Sequence, residues 1–291
     1  MLGSVHLFEA IVLGVVQGLT EFLPVSSNAH VEIVSRLCHW GDPGAAFTAV
    51  TQIGTELAVI LYFWKDIKSI ASAWFHSLYK VEARSNPEAK LGWYVILGSL
   101  PIGILGLLFK DSIETTARNL WVVATALIVM GVVLGIADRY AKHTKSMDDL
   151  KSGQAVAFGL GQAMALIPGV SRSGATITFG LFMGFKRDVA ARYSFLLAIP
   201  AVLASGLLEL RKIFKDSAVS ASSSLGWTET VIATVIAFGV GYVVISALMK
   251  YLQTRSFTPF VVYRIVLGLF VMAWLYFGHH PGVCTDPTMC N

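Results

Sequence analysis

Six long apolar stretches limit this chain more than any other feature, because each is long enough to cross a lipid bilayer. A spanning helix needs about 20 mostly apolar residues, or a few fewer. The stretches carry no charged residue in their middle except Glu56 and Arg264. The sequence therefore predicts an all-α integral membrane protein with six spanning helices. The predicted spans are Phe47–Trp64, Gly92–Phe109, Leu120–Ala137, Tyr193–Leu210, Thr228–Leu248 and Val261–Phe277.

Composition excludes several other classes. The 291 residues are 55% hydrophobic and only 14% charged, with a net charge of +4, whereas soluble domains are typically about 25% charged. The high apolar content excludes intrinsic disorder, and the small net charge provides no basic surface for nucleic acid. Three cysteines cannot form a disulfide framework, although Cys284 and Cys290 are able to pair on the predicted outer tail, 279–291.

Two further apolar segments are interrupted by polar residues and prolines. Val5–Arg36 is broken near Pro24, and Gln154–Phe185 is broken near Pro168 and the polar run after it. A broken helix at membrane depth is tolerated only where protein or a water-filled cavity surrounds the break. We therefore predict two re-entrant helix–loop–helix hairpins in addition to the six spans.

The distribution of Lys and Arg predicts the orientation. Fourteen of these residues fall in the loops 65–91, 138–152, 186–192 and 249–258, and six fall on the other side of the predicted bilayer. The positive-inside rule makes the fourteen-residue side cytoplasmic. Both termini are then outside, the first hairpin enters from outside, and the second enters from the cytoplasm. Arg264 is interpreted as a cytoplasmic anchor of the last span.

The two hairpins suggest an internal repeat. A shift of 145 residues overlays Gly14–Ser26 on Gly159–Ser171, with matching Gly, Gln, Val and Ser positions. Chance similarity of two small-residue helices is the alternative, but each hairpin is followed by three spans. We predict one membrane domain, 1–278, built from inverted repeats of about 5–137 and 153–277. Inverted repeats with broken helices place their binding site near the midplane, where the breaks meet.

The first break carries polar groups suited to an anion. Gln17 and Glu21 are four residues apart and share one helical face. A helix that begins at Pro24 would place Ser26 and Ser27 in its first turn. Their hydroxyls, together with the free backbone N–H groups of that turn, predict an anion site.

A histidine follows the two serines at helical spacing. His30 is four residues after Ser26 and three after Ser27, so either hydroxyl can lie within reach of its ring. A hydroxyl beside an imidazole, with the Glu21 carboxylate nearby, is the general arrangement of an activated nucleophile. From this spacing, either serine is a candidate nucleophile. Taken singly, each serine is more often bonded to the carbonyl of its own helix.

The second break adds a guanidinium to a similar helix start. Arg172 can hold a phosphate with two parallel N–H bonds, which a lysine cannot. The neighbouring groups predicted to contact the same anion are Gly169, Ser171, Ser173 and Thr176. A buried ion pair between Arg172 and Glu21 is the purely structural alternative. Together the two breaks describe a phosphate site.

At these residues the sequence resembles the undecaprenyl-diphosphate phosphatases of the BacA/UppP type. The matching motifs are Gln17…Glu21, Pro24-Val25-Ser26-Ser27, His30 and Pro168-Gly169-Val170-Ser171-Arg172-Ser173-Gly174-Ala175-Thr176. The resemblance runs from about Val5 to Phe277. It implies hydrolysis of C55 isoprenyl diphosphate to the monophosphate, which recycles the lipid carrier of bacterial cell-wall synthesis. It also implies bacitracin resistance, a divalent cation such as Mg²⁺ or Ca²⁺, and a homodimer in the bacterial plasma membrane with an extracytoplasmic active site.

Within that resemblance we assign Ser27 as the nucleophile, while Ser26, or direct attack by His30, stays open. Ser27 attacks the terminal phosphorus, His30 takes its proton, and Glu21 orients His30 or holds the metal ion. Arg172 neutralises the charge on the phosphoryl oxygens, and the substrate-binding residues are Gln17, Ser26, Gly169, Ser171, Ser173 and Thr176. The rival interpretation is a lipid-phosphate flippase or transporter that uses the same anion site, because fold does not determine function.

The match has departures at three places. Position 17 is Gln where many relatives have Glu, and Asn28-Ala29 replaces a common Thr-Gly. Glu56 falls in a span that looks apolar in relatives. We hypothesise that Glu56 supplies charge to the site in place of residue 17.

Overall fold

The computed structural model describes residues 2–109, 119–215 and 226–277. These residues form eleven α-helices, a few short 3-10 turns and no β-strand, which confirms the all-α prediction for them. The predicted tail 279–291, with Cys284 and Cys290, lies outside the described residues. The helices are α1 (Leu2–Thr20), α2 (Ser27–Leu37), α3 (Gly44–Tyr62), α4 (Trp64–Tyr79), α5 (Pro87–Leu108), α6 (Leu120–Tyr140), α7 (Ser152–Ala163), α8 (Arg172–Phe182), α9 (Arg187–Lys215), α10 (Trp227–Tyr251) and α11 (Thr258–Phe277).

Several helices are long and apolar enough to cross a membrane, so the chain is a multi-pass membrane protein. They are α5, α6, α10, α11 and the first part of α9, Arg187–Gly206. A sixth span results if α3 and α4 count as one, although they meet at a 78° bend. The predicted straight span Phe47–Trp64 is therefore corrected, because its helix ends at Tyr62. Much of the loop predicted at 65–91 is helical as well, as α4.

The two interrupted segments break in the same way. α1 and α2 are separated by residues 21–26, and α7 and α8 by residues 164–171. The last residue of each break is a serine with a left-handed backbone, since Ser26 and Ser171 both have φ 73°. Non-glycine residues adopt such angles rarely. Ser26 therefore precedes α2 as its N-cap, rather than lying in its first turn as predicted, and Pro24 lies in the turn before it.

Glycines let the first helix of each broken pair approach a long helix closely. A Cβ added at Gly14 of α1 would lie 2.6 Å from the Ala233 carbonyl oxygen of α10. A Cβ added at Gly159 of α7 would meet the backbone of Gly98 in α5. The small residues at these positions therefore serve helix packing, as such spacing commonly does in membranes.

Contacts between loops show that the four basic loops meet at one end of the bundle. The Asp138 carboxylate, near the end of α6, accepts from Arg187 Nε at 2.5 Å and from the Phe257 backbone N–H at 2.9 Å. Arg192 of α9 pairs with Asp66 of α4 at 2.8 Å. These contacts join residues from all four loops that the Lys and Arg distribution assigned to one side.

Candidate functional site

The two breaks lie against each other. Arg172, at the start of α8, donates from Nη2 to Glu21 Oε1 in the first break at 2.6 Å. Ser173 Oγ donates to the Leu23 carbonyl oxygen at 3.1 Å. The predicted meeting of the two polar breaks is therefore found in the structure.

Glu21 is the centre of a polar cluster that it forms with Gln17, Ser27 and Arg172. Its Oε2 accepts from Gln17 Nε2 at 2.7 Å and from the Ser27 hydroxyl at 2.5 Å, while Oε1 accepts from Arg172. Glu21 and Ser27 are each 8% exposed. Hydrogen bonds to an ionised carboxylate are short and strong. The hydroxyl proton of Ser27 therefore points at a carboxylate that is able to accept it.

His30 faces a different set of partners from those predicted. Its Nδ1 lies 2.7 Å from the Ser26 carbonyl oxygen, and its Nε2 lies 2.7 Å from the Tyr263 hydroxyl. The rings of His30 and Tyr263 are stacked at 5.5 Å between centroids. Since a carbonyl only accepts, Nδ1 carries a proton, and in the neutral ring Nε2 accepts from Tyr263. Among its contacts in the described residues, neither serine hydroxyl bonds to His30.

The hydroxyls of the second break are bonded mainly within that break. Ser171 Oγ accepts from the Gly174 backbone N–H at 3.1 Å and lies 3.2 Å from Ser173 Oγ. Thr176 Oγ1 donates to the carbonyl of Arg172 at 2.7 Å. These bonds hold the first turn of α8 in place and with it the base of the Arg172 side chain.

Arg264 is not a cytoplasmic anchor, and that interpretation is wrong. It is fully buried and donates to the Pro24 carbonyl at 2.8 Å and to the Gly169 and Val170 carbonyls at 3.0 Å each. A further bond, of 3.3 Å, goes to the Leu127 carbonyl of α6. Broken helices leave carbonyls without their usual N–H partners, which must find other donors inside a membrane. One guanidinium provides these donors to both breaks.

A cavity of about 990 Å³ opens beside the cluster. Its polar end is formed by Glu21, Ser26, Ser27, Ser171 and Arg172. Its remaining wall is mostly apolar and comes from α5, α9 and the second break, with Ile102, Gly103, Gly106, Leu107, Ala165, Leu166, Ile167, Pro200, Ala201, Val202 and Ala204. This shape suits an amphiphile with an anionic head and an apolar chain.

The predicted site residues divide into two groups. Those that line the cavity are Glu21, Ser26, Ser27, Gly169, Ser171 and Arg172. Those that lie behind its wall are Gln17, His30, Ser173 and Thr176, each bonded to a residue of the cluster or of a break. The residues of the first group can therefore contact a ligand in the cavity directly. Those of the second group can act only by holding the first group in place.

Sequence reasoning missed some polar groups next to the cluster. Gln52 of α3 lines the cavity and donates to Asn28 Oδ1 at 3.1 Å. Tyr263 of α11 is the partner of His30. A signal existed for Gln52, because it is four residues before Glu56 and so lies on the same helical face of the predicted span. Nothing comparable marks Tyr263, since aromatic residues are common in membrane helices.

Oxygen donors for a divalent cation are present, although they do not form a complete cage. The described ranges contain no group of three or more His, Cys, Asp or Glu that could hold a metal ion. Glu21 is surrounded by polar groups, and the buried Oε1 of Gln17 has no hydrogen-bond partner. Mg²⁺ is commonly held by one or two carboxylates together with substrate phosphates. The residues therefore fit a cation that is shared with a phosphorylated ligand.

Comparison with known proteins gives consistent matches. The family model described as bacitracin resistance protein BacA matches residues 10–270. The chain is 57% identical over 278 residues to undecaprenyl-diphosphatase 2 of Streptomyces avermitilis, covering 91% of this chain and 94% of that protein. It is 53% identical to the undecaprenyl-diphosphatase of Thermobifida fusca, covering 94% and 91%. It is 56% identical to the undecaprenyl-diphosphatase of Paenarthrobacter aurescens, covering 92% and 97%.

Proposed function

The chain belongs to the family of the bacitracin resistance protein BacA, and we propose that it is an undecaprenyl-diphosphatase. It hydrolyses the C55 isoprenyl diphosphate to the monophosphate and inorganic phosphate. This reaction recycles the lipid carrier of peptidoglycan synthesis and confers bacitracin resistance. The observation that carries the proposal is the contact of Ser27 with Glu21, which in turn holds Arg172, at the polar end of the apolar cavity.

The chemical step uses Ser27 as the nucleophile. A bond forms between Ser27 Oγ and the terminal phosphorus, and the bond from that phosphorus to the bridging oxygen breaks. Undecaprenyl monophosphate leaves with the electron pair of that bond. The hydroxyl proton passes to Glu21 Oε2, which is already 2.5 Å from the oxygen. Glu21 then passes that proton to the departing monophosphate and is a carboxylate again. In the second step Glu21 takes a proton from the water that attacks the phosphoserine, Ser27 Oγ leaves phosphorus with the electron pair of the bond and regains a proton from Glu21, and inorganic phosphate is released.

Arg172 stabilises the charge on the transferring phosphoryl group. In the structure its Nη2 is bonded to Glu21, so the incoming phosphate replaces that carboxylate as the acceptor. Ser26 and Ser171 lie beside it at the starts of α2 and α8, where free backbone N–H groups favour anions. Donors that are fixed before the reaction contribute strongly, and loss of one typically lowers the rate by ~10²–10³.

His30 has two alternative roles that an experiment separates. To act as the base for Ser27, or to attack phosphorus itself, its ring must leave Ser26 and Tyr263. The intermediate, formed from substrate labelled on the terminal phosphate, is trapped in parallel by acid quenching, which preserves phosphoserine, and by alkaline denaturation, which preserves phosphohistidine, and the labelled residue is located by mass spectrometry. Label on Ser27 supports the proposal. Label on His30 overturns the serine mechanism, and label on Ser26 moves the attack by one residue.

A divalent cation, Mg²⁺ or Ca²⁺, is proposed as the cofactor. Glu21 would hold it together with phosphate oxygens of the substrate, because Glu21 lines the cavity whereas Gln17 lies behind its wall and bonds to Glu21. It would supply positive charge to the phosphoryl oxygens. Glu21 keeps its own role of accepting the Ser27 proton, and Arg172 keeps its role of binding phosphate.

The membrane arrangement is part of the same proposal. We propose two inverted repeats whose re-entrant hairpins are α1–α2 and α7–α8. The equal torsions of Ser26 and Ser171 and the matched packing of Gly14 and Gly159 support the repeat. The basic loops at one end support a cytoplasmic end, with an active site that opens to the extracytoplasmic side. The homodimer and the division into repeats 5–137 and 153–277 stay predictions.

Phosphate release tests the function. The full chain is purified in detergent and incubated with undecaprenyl diphosphate and Mg²⁺ or Ca²⁺, and inorganic phosphate is measured. We expect release to fall to background in the Ser27→Ala variant and by ~10²–10³ in the Arg172→Ala variant, which leaves a measurable residual rate. A flippase does not liberate phosphate, so a folded protein that releases none would favour transport. The Ser27–Glu21 bond favours hydrolysis, because transport needs no activated hydroxyl.

A further inference from the structure

Glu56 is a buried carboxylate that the proposed reaction does not use. It lies in the middle of α3, is 0% exposed, and does not line the cavity. Both of its carboxylate oxygens lack a hydrogen-bond partner within the described part of the chain. It lies within ion-pair distance of Arg172, whose Nη2 is 3.7 Å from Glu56 Oε2.

Such a residue does not serve stability. Burial of an ionised carboxylate without hydrogen bonds costs several kcal/mol, and a packed apolar side chain of similar size would avoid that cost. The neighbouring polar residues of α3 do have partners, since Thr55 donates to the Gln52 carbonyl and Gln52 donates to Asn28. The charge of Glu56 therefore has a purpose outside α3.

Arg172 lies between two carboxylates, of which one is accessible from the cavity and the other is not. Its Nη2 is 2.6 Å from Glu21, which lines the cavity, and 3.7 Å from Glu56, which does not. A phosphate that enters the cavity competes with Glu21 for the guanidinium but cannot reach the place of Glu56. Glu56 is thus the one of the two anions that remains beside Arg172 when substrate is bound.

We propose that Glu56 is a positioning residue, the permanent counter-ion that keeps Arg172 directed at the cavity while Glu21 is released to act on Ser27. This inference rests on the proposed function and deepens it. Without Glu56, Glu21 is the only carboxylate within ion-pair distance of Arg172 in the described residues. Arg172 then holds Glu21 more tightly, and substrate must break that pair before Glu21 can accept the Ser27 proton.

The first test compares single variants by phosphate release from undecaprenyl diphosphate. Glu56→Gln keeps the shape and removes the charge, and we expect kcat to fall ~10–100-fold, the usual effect of losing a supporting partner of a catalytic group. Glu56→Asp keeps the charge and should recover part of that loss. The matched control is Glu9→Gln, a second buried carboxylate, which pairs with His6 away from the cluster. Its activity should equal that of the wild type.

Thermal unfolding distinguishes a positioning role of Glu56 from a role in folding. Because Glu56 is buried without hydrogen bonds, Glu56→Gln should unfold at the wild-type temperature or higher while its kcat falls. A lower unfolding temperature together with the lower kcat would overturn the proposal, since it would make Glu56 a structural residue. Glu56→Leu repeats the comparison with an apolar side chain and is expected to give the same two results.

A double-mutant cycle tests whether Glu56 acts through Arg172. If it does, adding Glu56→Gln to the Arg172→Ala variant causes no further loss, because the group it positions is already absent. An additional ~10–100-fold loss in that background would show an independent role, such as direct cation binding, and would overturn the proposal. A wild-type protein that releases no phosphate would reject the proposed function itself. Wild-type release with an unchanged Glu56→Gln variant would reject only this inference.

Discussion

The two helix breaks share a backbone but carry different chemistry. Ser26 and Ser171 have the same φ of 73°, and each directly precedes a helix. Their hydroxyls are used differently, because Ser171 accepts a capping bond from Gly174, whereas Ser26 makes no capping bond. In the second break the Ser171 hydroxyl stabilises the start of α8. In the first break the Ser26 hydroxyl makes no capping bond and lines the cavity.

The residues next to these serines differ in charge. The 145-residue shift that aligns the breaks pairs Ser27 with Arg172 and Glu21 with Leu166. The first break thus carries the proposed nucleophile and its proton acceptor, and the second carries the cation that binds phosphate. A symmetric backbone brings two helix starts to one place, and the asymmetric side chains divide the reaction between them.

Removal of the nucleophile from the first break should have the largest effect. We expect Ser27→Ala to lower kcat by roughly 10³-fold or more, because loss of a nucleophile removes the covalent route. Phosphate release from undecaprenyl diphosphate measures it. Ser246→Ala is the control and should be unaffected, because this half-buried serine on α10 bonds to the Tyr242 carbonyl of its own helix. Ser27→Ala with more than a tenth of wild-type activity would contradict the assignment.

Replacement of the cation in the second break should have the next largest effect. Arg172→Lys keeps the charge but loses the planar pair of donors that binds phosphate, so we expect kcat/KM to fall by ~10²-fold. Arg36→Lys, in a partly buried pair with Glu32 on α2, is the matched control. Equal activity of Arg172→Lys and the wild type would mean that charge alone suffices and that the two breaks differ less than proposed.

The sequence predicted the coarse fold and the cluster because both depend on local patterns. Apolar length predicts the spans, and a proline with polar residues predicts each break. The bend between α3 and α4 was missed, since nothing in Tyr62–Trp64 interrupts the apolar pattern. The hydrophobic length of a stretch says that it is helical and apolar, but not that its helix stays straight.

Long-range partners could not be predicted from local spacing. His30 was placed beside the serine hydroxyls by counting along a helix, yet its ring reaches back to the Ser26 carbonyl and across to Tyr263, 233 residues away. Arg264 was interpreted as a cytoplasmic anchor of the last span, whereas its partners are carbonyls of both breaks. In both cases the partner comes from a distant segment.

Loss of Arg264 should weaken both breaks together. Arg264→Leu leaves the carbonyls of Pro24, Gly169 and Val170 without this donor, and an unsatisfied buried carbonyl costs about 1–3 kcal/mol. We expect a lower unfolding temperature in detergent and faster hydrogen exchange in the first turns of both α2 and α8. Faster exchange in only one of them would show that Arg264 supports that break alone, and an unchanged unfolding temperature would contradict its role in either.

The smallest effect should come from the two serines with the same torsion. Ser171→Ala removes the acceptor for the Gly174 N–H, and loss of an N-cap typically costs ~1 kcal/mol. Ser26→Ala removes no capping bond, so it should leave stability almost unchanged. Alanine relieves the positive φ at neither position, and the backbone strain therefore cancels in the comparison.

Thermal unfolding of the two alanine variants, measured side by side, gives the result. A lower unfolding temperature for Ser171→Ala than for Ser26→Ala is expected, together with faster exchange of the Gly174 amide. In phosphate release the order should reverse, because Ser26 lies next to Ser27 at the cavity and is able to bond the phosphate. If both variants lose stability equally, the Ser26 and Ser171 hydroxyls stabilise their helices to the same extent. The two breaks would then differ in function only through Ser27 and Arg172.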